Sequence, residues 1–199
     1  MSGKLFIVSA PSGAGKTTLV RAVLDDFYSQ FSINRVITYT SRPPRYGERS
    51  GEDYHFISSS EFEKKKNSHF FLEWSGRYDH YYGTPRYIID GLANGNSCVL
   101  VIDRSGAQQI ISIANDPSPI LRNCVVPIWI YTSDILELER RLVCRGKNTE
   151  KQICRRIALA KAELKQEQQN PIYKHYILND DFHKAKKRLM EVFVIELQK

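Results

Sequence analysis

Nine consecutive residues, Ala10-Pro11-Ser12-Gly13-Ala14-Gly15-Lys16-Thr17-Thr18, have the types and spacing needed to cradle a polyphosphate. Two glycines let the backbone curl so that successive N–H groups point into one cavity, and a helix starting there presents the positive end of its dipole to an anion. Lys16 adds a mobile cation for the β- and γ-phosphates, and Thr17 a hydroxyl for Mg²⁺. A strict phosphate-loop signature begins with Gly where this chain has Ala10, but a small residue at a strand end still fits the turn. An ordinary glycine turn with a stray lysine would lack the context found here. The apolar run Leu5-Phe6-Ile7-Val8 precedes the loop, and Leu19, Val20, Val23, Leu24 and Phe27 follow at helical spacing. The segment is predicted to join a buried strand to a helix and to bind a nucleoside triphosphate.

Three further groups could complete such a site. Val99-Leu100-Val101-Ile102-Asp103 places a carboxylate after four apolar residues, at the strand end where parallel sheets bind ligands. Asp103 there can hold Mg²⁺, often through water, or can simply cap the next helix. Arg42 and Arg45, three residues apart on a loop stiffened by Pro43 and Pro44, form a fork that can grip a phosphate; as isolated residues they are equally well read as solvated charges. Glu73 lies in the apolar stretch Phe71-Leu72-Glu73-Trp74, where an ionised carboxylate is costly unless partnered. A salt bridge would meet that need. So would a guanine edge, whose N1–H and N2–H₂ are adjacent donors, whereas adenine offers an acceptor at N1.

These side chains need a frame. Strand-like runs alternate with helical patterns, which predicts an α/β fold with a parallel sheet flanked by helices. Strands are expected at Leu5 to Ser9, Ile33 to Thr40, Ser97 to Ile102, Val125 to Tyr131 and His175 to Leu178. Helices are expected after the phosphate loop, from about Pro85 to Asn94-Gly95, after Asp103 through Ile113, from a Ser133 cap to near Gly146, from a Thr149/Gln152 capping box, and at the C-terminal end. From Ser41 to Tyr82 the texture changes to Tyr, Arg, Gly and Glu, with short alternating segments at Asp53 to Ile57, Phe70 to Trp74 and Arg77 to Tyr82. This reads as a small mixed or antiparallel insertion. A helix inside it, opened by a Ser60 capping box, carries Lys64-Lys65-Lys66 as a solvated face. No repeat, low-complexity tract or interdomain linker interrupts the pattern.

Composition sets bounds. With 199 residues the chain can bury one substantial core, and its net charge of +7 suits anionic partners. The basic residues are dispersed without a nucleic-acid-binding motif, so phosphorylated small molecules account for the charge as well. Cys98, Cys124, Cys144 and Cys154 have no zinc or redox spacing and read as reduced thiols, mostly packing, in a cytoplasmic protein. The histidines offer no spaced ligand set. Met1-Ser2-Gly3-Lys4 leads into an apolar run too short for a signal segment, and no run reaches membrane length, so no export and no membrane partner is expected.

The ordered set of segments resembles the guanylate kinases. It comprises Ser9 to Lys16, Arg42-Pro43-Pro44-Arg45 with Gly47-Glu48 and Gly51, Phe71-Leu72-Glu73, Tyr81-Tyr82-Gly83-Thr84, Asp103 with Gly106, Arg140-Arg141-Leu142 with Arg145-Gly146, and Asn179-Asp180-Asp181. The resemblance implies one domain over 1–199, with a P-loop core at about 1–37, 84–134 and 157–199, a GMP-binding insertion at about 38–83 and a helical lid at about 135–156. It implies transfer of the γ-phosphoryl of ATP to GMP with Mg²⁺, in purine nucleotide metabolism. Residues Ala10 to Thr18 would hold ATP, with Asn179 near the adenine. Thr38, Arg42, Arg45, Tyr54, Glu73, Tyr82, Gly83 and Thr84, with Asp103, would form the GMP site. Within it Arg42, Arg45, Tyr54 and Tyr82 would hold the phosphate, and Thr38, Glu73 and Thr84 the base. Lys16, Arg42, Arg141, Arg145 and Arg156 would carry catalysis, with Arg141 and Arg145 one turn apart on a lid helix.

Two departures stand out. The family commonly has a second Asp two residues before the one matching Asp103, where this chain has Val101, and Ser75 to His80 reads as a loop unusual in its charges and aromatics. Two alternatives remain at this point: a non-catalytic phosphoprotein-binding module of the same fold, and a kinase for another phosphorylated acceptor. A nucleic-acid binder stands third. The sequence does not set the oligomeric state or the preference between GMP and dGMP.

Overall fold

The computed structural model describes residues 2–27, 33–77, 79–115, 121–144 and 149–199. In chain order the elements are β1 (Leu5–Ser9), α1 (Lys16–Phe27), β2 (Ile33–Arg35), β3 (Tyr39–Thr40), β4 (His55–Phe56), α2 (Ser59–Asn67), β5 (Phe71–Arg77) and β6 (His80–Pro85). They continue as α3 (Ile88–Ala93), β7 (Ser97–Val101), α4 (Arg104–Asn115), β8 (Val125–Tyr131), α5 (Ile135–Cys144), α6 (Glu150–Gln169), β9 (His175–Leu178) and α7 (Phe182–Leu197).

Five strands make a parallel sheet in the order β2-β7-β1-β8-β9. The central strand β1 is buried along its whole length, which explains why it reads as a continuous apolar run rather than an alternating one. Phe6 and Val8 face α1 and α7, where the rings of Phe6 and Phe193 lie 4.4 Å apart; Leu5 and Ile7 face the cluster of Leu92, Ile110 and Trp129. Each such fully buried side chain contributes roughly 1.5–3 kcal/mol. The loops after β1 and β7 leave neighbouring strands at their carboxyl ends, on the side where the strand order reverses, and this is where open α/β sheets hold ligands.

A second sheet, β4-β3-β6-β5, is mixed: β3 runs parallel to β4 and antiparallel to β6, and β5–β6 is an antiparallel hairpin. The expected strand from Ile33 to Thr40 is two strands, because the chain leaves the first sheet after Arg35 and enters the second at Tyr39. The expected loop from Ser75 to His80 is also corrected. β5 continues through Arg77, which pairs with His80, and Asp79 takes φ 65°, a left-handed conformation that Asp tolerates.

Caps shift by one or two residues. Ser58, not Ser60, accepts from the Glu61 N–H at the start of α2. Asp134, not Ser133, accepts from Leu136 N–H at 2.9 Å at the start of α5, while Ser133 N–H donates to Asp180. The end of that helix near Gly146 lies outside the described residues. The Thr149/Gln152 capping box opens α6 as read from the sequence. α3 begins later than expected because Pro85 is still the last residue of β6. The lysine run is not wholly solvated: Lys65 sits 4.3 Å from the Phe70 ring centroid and Lys66 4.1 Å from that of Trp74, placing both over aromatic faces. Of the cysteines, Cys124 is buried and Cys98 half-buried, but Cys144 and Cys154 are exposed.

Candidate functional site

The phosphate loop is shaped by two left-handed glycines, Gly13 at φ 96° and Gly15 at φ 82°. A methyl group on Gly15 would come within 2.8 Å of Asn179 Nδ2, and one on Gly13 within 3.1 Å of Leu138 O, so glycine is needed for both conformation and space. Asn179 Nδ2 donates to Ala14 O at 2.7 Å, and Arg141 donates to Asn179 O at 2.9 Å and to Glu137 at 2.6 Å. The loop is therefore braced from behind by the end of β9 and by α5.

In front of it opens a cavity lined by Pro11, Ser12, Gly13, Gly15, Lys16 and Thr17 on one side and by Thr38, Arg45, Tyr54, Glu73, Tyr82 and Gly83 on the other, with Asp103 and Arg156 between. Ala10 and Ala14 are buried in the core cluster beneath the loop, and Thr18 is exposed away from the cavity. Arg145 lies outside the described residues.

On the wall opposite the phosphate loop, Glu73 is 3% exposed and accepts from Thr84 Oγ1 at 2.5 Å. Burial pushes its carboxyl up to about 7; the Thr84 hydrogen bond opposes this and the nearby Asp103 charge reinforces it. Gly106, in the first turn of α4, makes room for it: a methyl there would stand 2.5 Å from Glu73 Oε2. Arg42 lies beside the main cavity rather than in its wall. It is buried, forked onto Glu48 at 2.7 and 3.0 Å, with its guanidinium 5.4 Å from the ring centroids of Tyr54 and Phe56. Although burial opposes charge on both partners, the pairing holds the Glu48 carboxyl below its usual range. Arg45 lines both this side pocket and the main cavity.

Asp103 caps α4 and faces the cavity at the same time. Its Oδ1 accepts from Gly106 N–H at 2.9 Å, and its Oδ2 accepts from Ser75 Oγ at 2.9 Å. Each carboxylate oxygen keeps a further lone pair, and with the Thr17 hydroxyl this makes a sparse set of hard oxygen donors. Such a set fits Mg²⁺, which keeps most of its waters and takes the rest of its ligands from phosphates.

Residue-by-residue reading missed Ser75, Arg77, Glu48 and Glu163. Once β5 is seen to run through Arg77, the period of two puts Glu73, Ser75 and Arg77 on one face, and all three line the cavity. Glu163 follows Arg156 by seven residues, two turns of α6, and that spacing was the available signal. Arg77 Nη1 stands 3.1 Å from Glu163 Oε1 and 3.9 Å from Asp103 Oδ2.

The guanylate kinase family model matches residues 2–196 of the chain. The chain is 39% identical over 186 residues to the guanylate kinase of Dechloromonas aromatica (strain RCB), covering 93% of this chain and 85% of that protein. It is 38% identical over 195 residues to that of Protochlamydia amoebophila (strain UWE25), covering 98% and 91%. The crystal structure of guanylate kinase from Anaplasma phagocytophilum matches with a TM-score of 0.77 at 25% identity, over 100% of this chain and 88% of that one.

Proposed function

The chain belongs to the guanylate kinase family, and we infer that it transfers the γ-phosphoryl of ATP to GMP, giving ADP and GDP. The observation that carries the acceptor assignment is Glu73, a buried carboxylate at the far end of a cavity that begins at the phosphate loop. Ionised, it offers two acceptor oxygens to the adjacent N1–H and N2–H₂ donors of guanine; facing adenine it would meet a lone pair. Thr84 orients it, and Thr38 adds a hydroxyl to the same wall.

The remaining roles follow from charge. The acceptor is already a phosphate anion, so the site has no need of a strong base; it has to bring two anions together. Arg45, Tyr54 and Tyr82 receive the GMP phosphate, with the Arg42–Glu48 fork fixing the loop that carries Arg45 and Arg42 turning to the phosphate as GMP enters. Lys16 and Arg156 flank the transferred group, whose loose transition state spreads charge over its equatorial oxygens. Arg141 holds the loop through Asn179, and Arg145 joins the lid cations. Mg²⁺, held by Thr17 and through water by Asp103, would supply neutralisation of the β- and γ-oxygens. Residues 38–83 act as the acceptor unit and residues 135–156 as a lid that excludes water, without which ATP would be hydrolysed. The cytoplasm suits this chemistry and the free thiols; among the described residues, no helix is long and apolar enough to cross a membrane.

A panel of acceptors with ATP and Mg²⁺ tests this reading: GMP, dGMP, AMP, UMP, CMP and a phosphorylated sugar, followed by coupled ADP release. GMP should lead by at least ~10²-fold in kcat/KM over AMP, in keeping with discrimination built on buried hydrogen bonds. Turnover with AMP or a sugar phosphate equal to that with GMP would overturn it.

A further inference from the structure

Between the phosphate loop and the acceptor sheet, two carboxylates meet one guanidinium. Glu163 and Asp103 have side chains 10% and 13% exposed, and Arg77, at 15%, reaches in from the β5–β6 hairpin to within 3.1 and 3.9 Å of them. Glu163 Oε2 is buried with no hydrogen-bond donor among the described residues, so this carboxylate retains unspent capacity to attract a cation. Lys16 is near enough for its charge to act on Glu163, and it does so in the same direction as Arg77, opposing the upward push of burial on that carboxyl. Glu163 thus pairs with a cation on the hairpin and lies within the field of the phosphate-loop ammonium.

We propose that Arg77 is a positioning residue of this site: by holding the Glu163 carboxylate, it keeps that charge from drawing the Lys16 ammonium away from the phosphates. The proposal rests on reading the cavity as the ATP:GMP transfer site. A buried carboxylate that loses one partner turns to the next available cation, because leaving it unpaired is the costlier state. In this cavity the next cation is Lys16, the group on which transfer depends. A second ion pair, Arg155 Nη1 to Asp79 Oδ2 at 3.0 Å, joins the same hairpin to α6, but its side chains are 55% and 80% exposed. It docks the hairpin without touching the charge balance at Lys16, and exposed pairs of this kind are worth little.

The test uses the full chain with ATP, Mg²⁺ and GMP, and begins with wild-type turnover, whose absence would strike the parent reading rather than this one. Arg77→Gln is expected to lower kcat about tenfold while the KM for GMP changes less than threefold, since the base and acceptor-phosphate contacts remain. Adding Glu163→Gln to it removes the stray carboxylate and should restore kcat to within about threefold of wild type. Asp79→Asn, which breaks only the exposed pair, should leave kcat within twofold. If Arg77→Gln does not fold, the double variant, which removes Arg77 and its nearer carboxylate together and leaves Asp103 with its Ser75 and Gly106 donors, carries the test alone: near-wild-type kcat supports the proposal and a tenfold loss overturns it. Failure of Glu163→Gln to restore turnover, an unchanged kcat in Arg77→Gln, or an equal loss in Asp79→Asn would each overturn it.

Discussion

At the scale of single residues the site turns on which charges are solvated and which are not. Glu73 is the sharpest case, because burial raises its carboxyl from 4.5 to about 7 while a nearby Asp103 pushes the same way and Thr84 alone opposes. The sign for stability follows: the folded chain keeps a proton on Glu73 that the unfolded chain has lost, so stability falls as pH rises from about 4.5 to 7. Glu73→Gln should flatten that decline in a series of denaturation midpoints. For function the same group must be ionised to accept two hydrogen bonds, so kcat/KM for GMP should rise with pH through an apparent pKa near 7 in the wild type. In Glu73→Gln one acceptor becomes a donor facing a donor. That mismatch costs roughly 1–3 kcal/mol, or about one to two powers of ten in kcat/KM for GMP, while the rate with AMP holds or improves. A GMP-to-AMP ratio unchanged by the substitution would reduce Glu73 to a structural carboxylate. Lys16→Ala, measured in the same assay, should lower kcat by at least ~10²-fold through loss of a preorganised electrostatic contact; turnover near the wild-type rate would mean that the loop is not the reacting one.

At the scale of elements, what was legible in the sequence was whatever local chemistry decides. β1 and β8 read directly because strands buried on both faces are unbroken apolar runs, and the Thr149/Gln152 capping box fixes the start of α6 by itself. Contacts decided at a distance were not legible. The split of Ile33–Thr40 into β2 and β3 depends on which sheet each half joins, and the continuation of β5 through Arg77 depends on pairing with His80 across the hairpin. The site divides the same way. Lys16, Thr17, Glu73 and Asp103 announce themselves by local context, whereas Glu48 and Glu163 gain meaning only from Arg42 and Arg77, brought to them by the fold. Gly106 shows how one element can serve another. Alanine in a helix is ordinarily better than glycine by up to about 1 kcal/mol, but at Gly106 its methyl would stand 2.5 Å from Glu73 Oε2 in the adjoining strand. Gly106→Ala is therefore expected to move the thermal midpoint only slightly while raising the KM for GMP about tenfold, a split that calorimetry and kinetics on one preparation would reveal. A GMP KM equal to the wild type would show that Glu73 has room to give way.

At the scale of the whole molecule, the layout sets a rigid five-stranded sheet beneath two smaller bodies, the mixed sheet and the α5–α6 pair, which face each other across the phosphate loop. The chain crosses between the core and the mixed sheet at residues 36–38 and 86–87, and β5 also packs on α4, with Leu72 in the core cluster, Ser75 donating to Asp103 and Trp74 O accepting from Gln109, so a rotation of the sheet would pivot on that contact. Charge argues for the same motion. Lys16, Arg45, Arg77 and Arg156 bring cations to the cavity from loop, insertion, hairpin and helix, and bringing them together on an empty site is opposed by their mutual repulsion, offset only in part by Glu163 and Asp103. Two bound nucleotides supply the missing negative charge, one to each side of the cleft, so neither alone removes the whole barrier to closure. The expected outcome in small-angle scattering is a radius of gyration that falls more with GMP and a non-hydrolysable ATP analogue together than the sum of the changes with each alone. Because the driving force is screened charge, the effect should weaken as salt is raised from low to several tenths molar, where the Debye length drops below ~10 Å. Identical profiles for the free and doubly liganded protein would leave the hinge without a role, and additive changes insensitive to salt would show that closure is driven by contacts within each nucleotide site rather than by charge shared across the cleft.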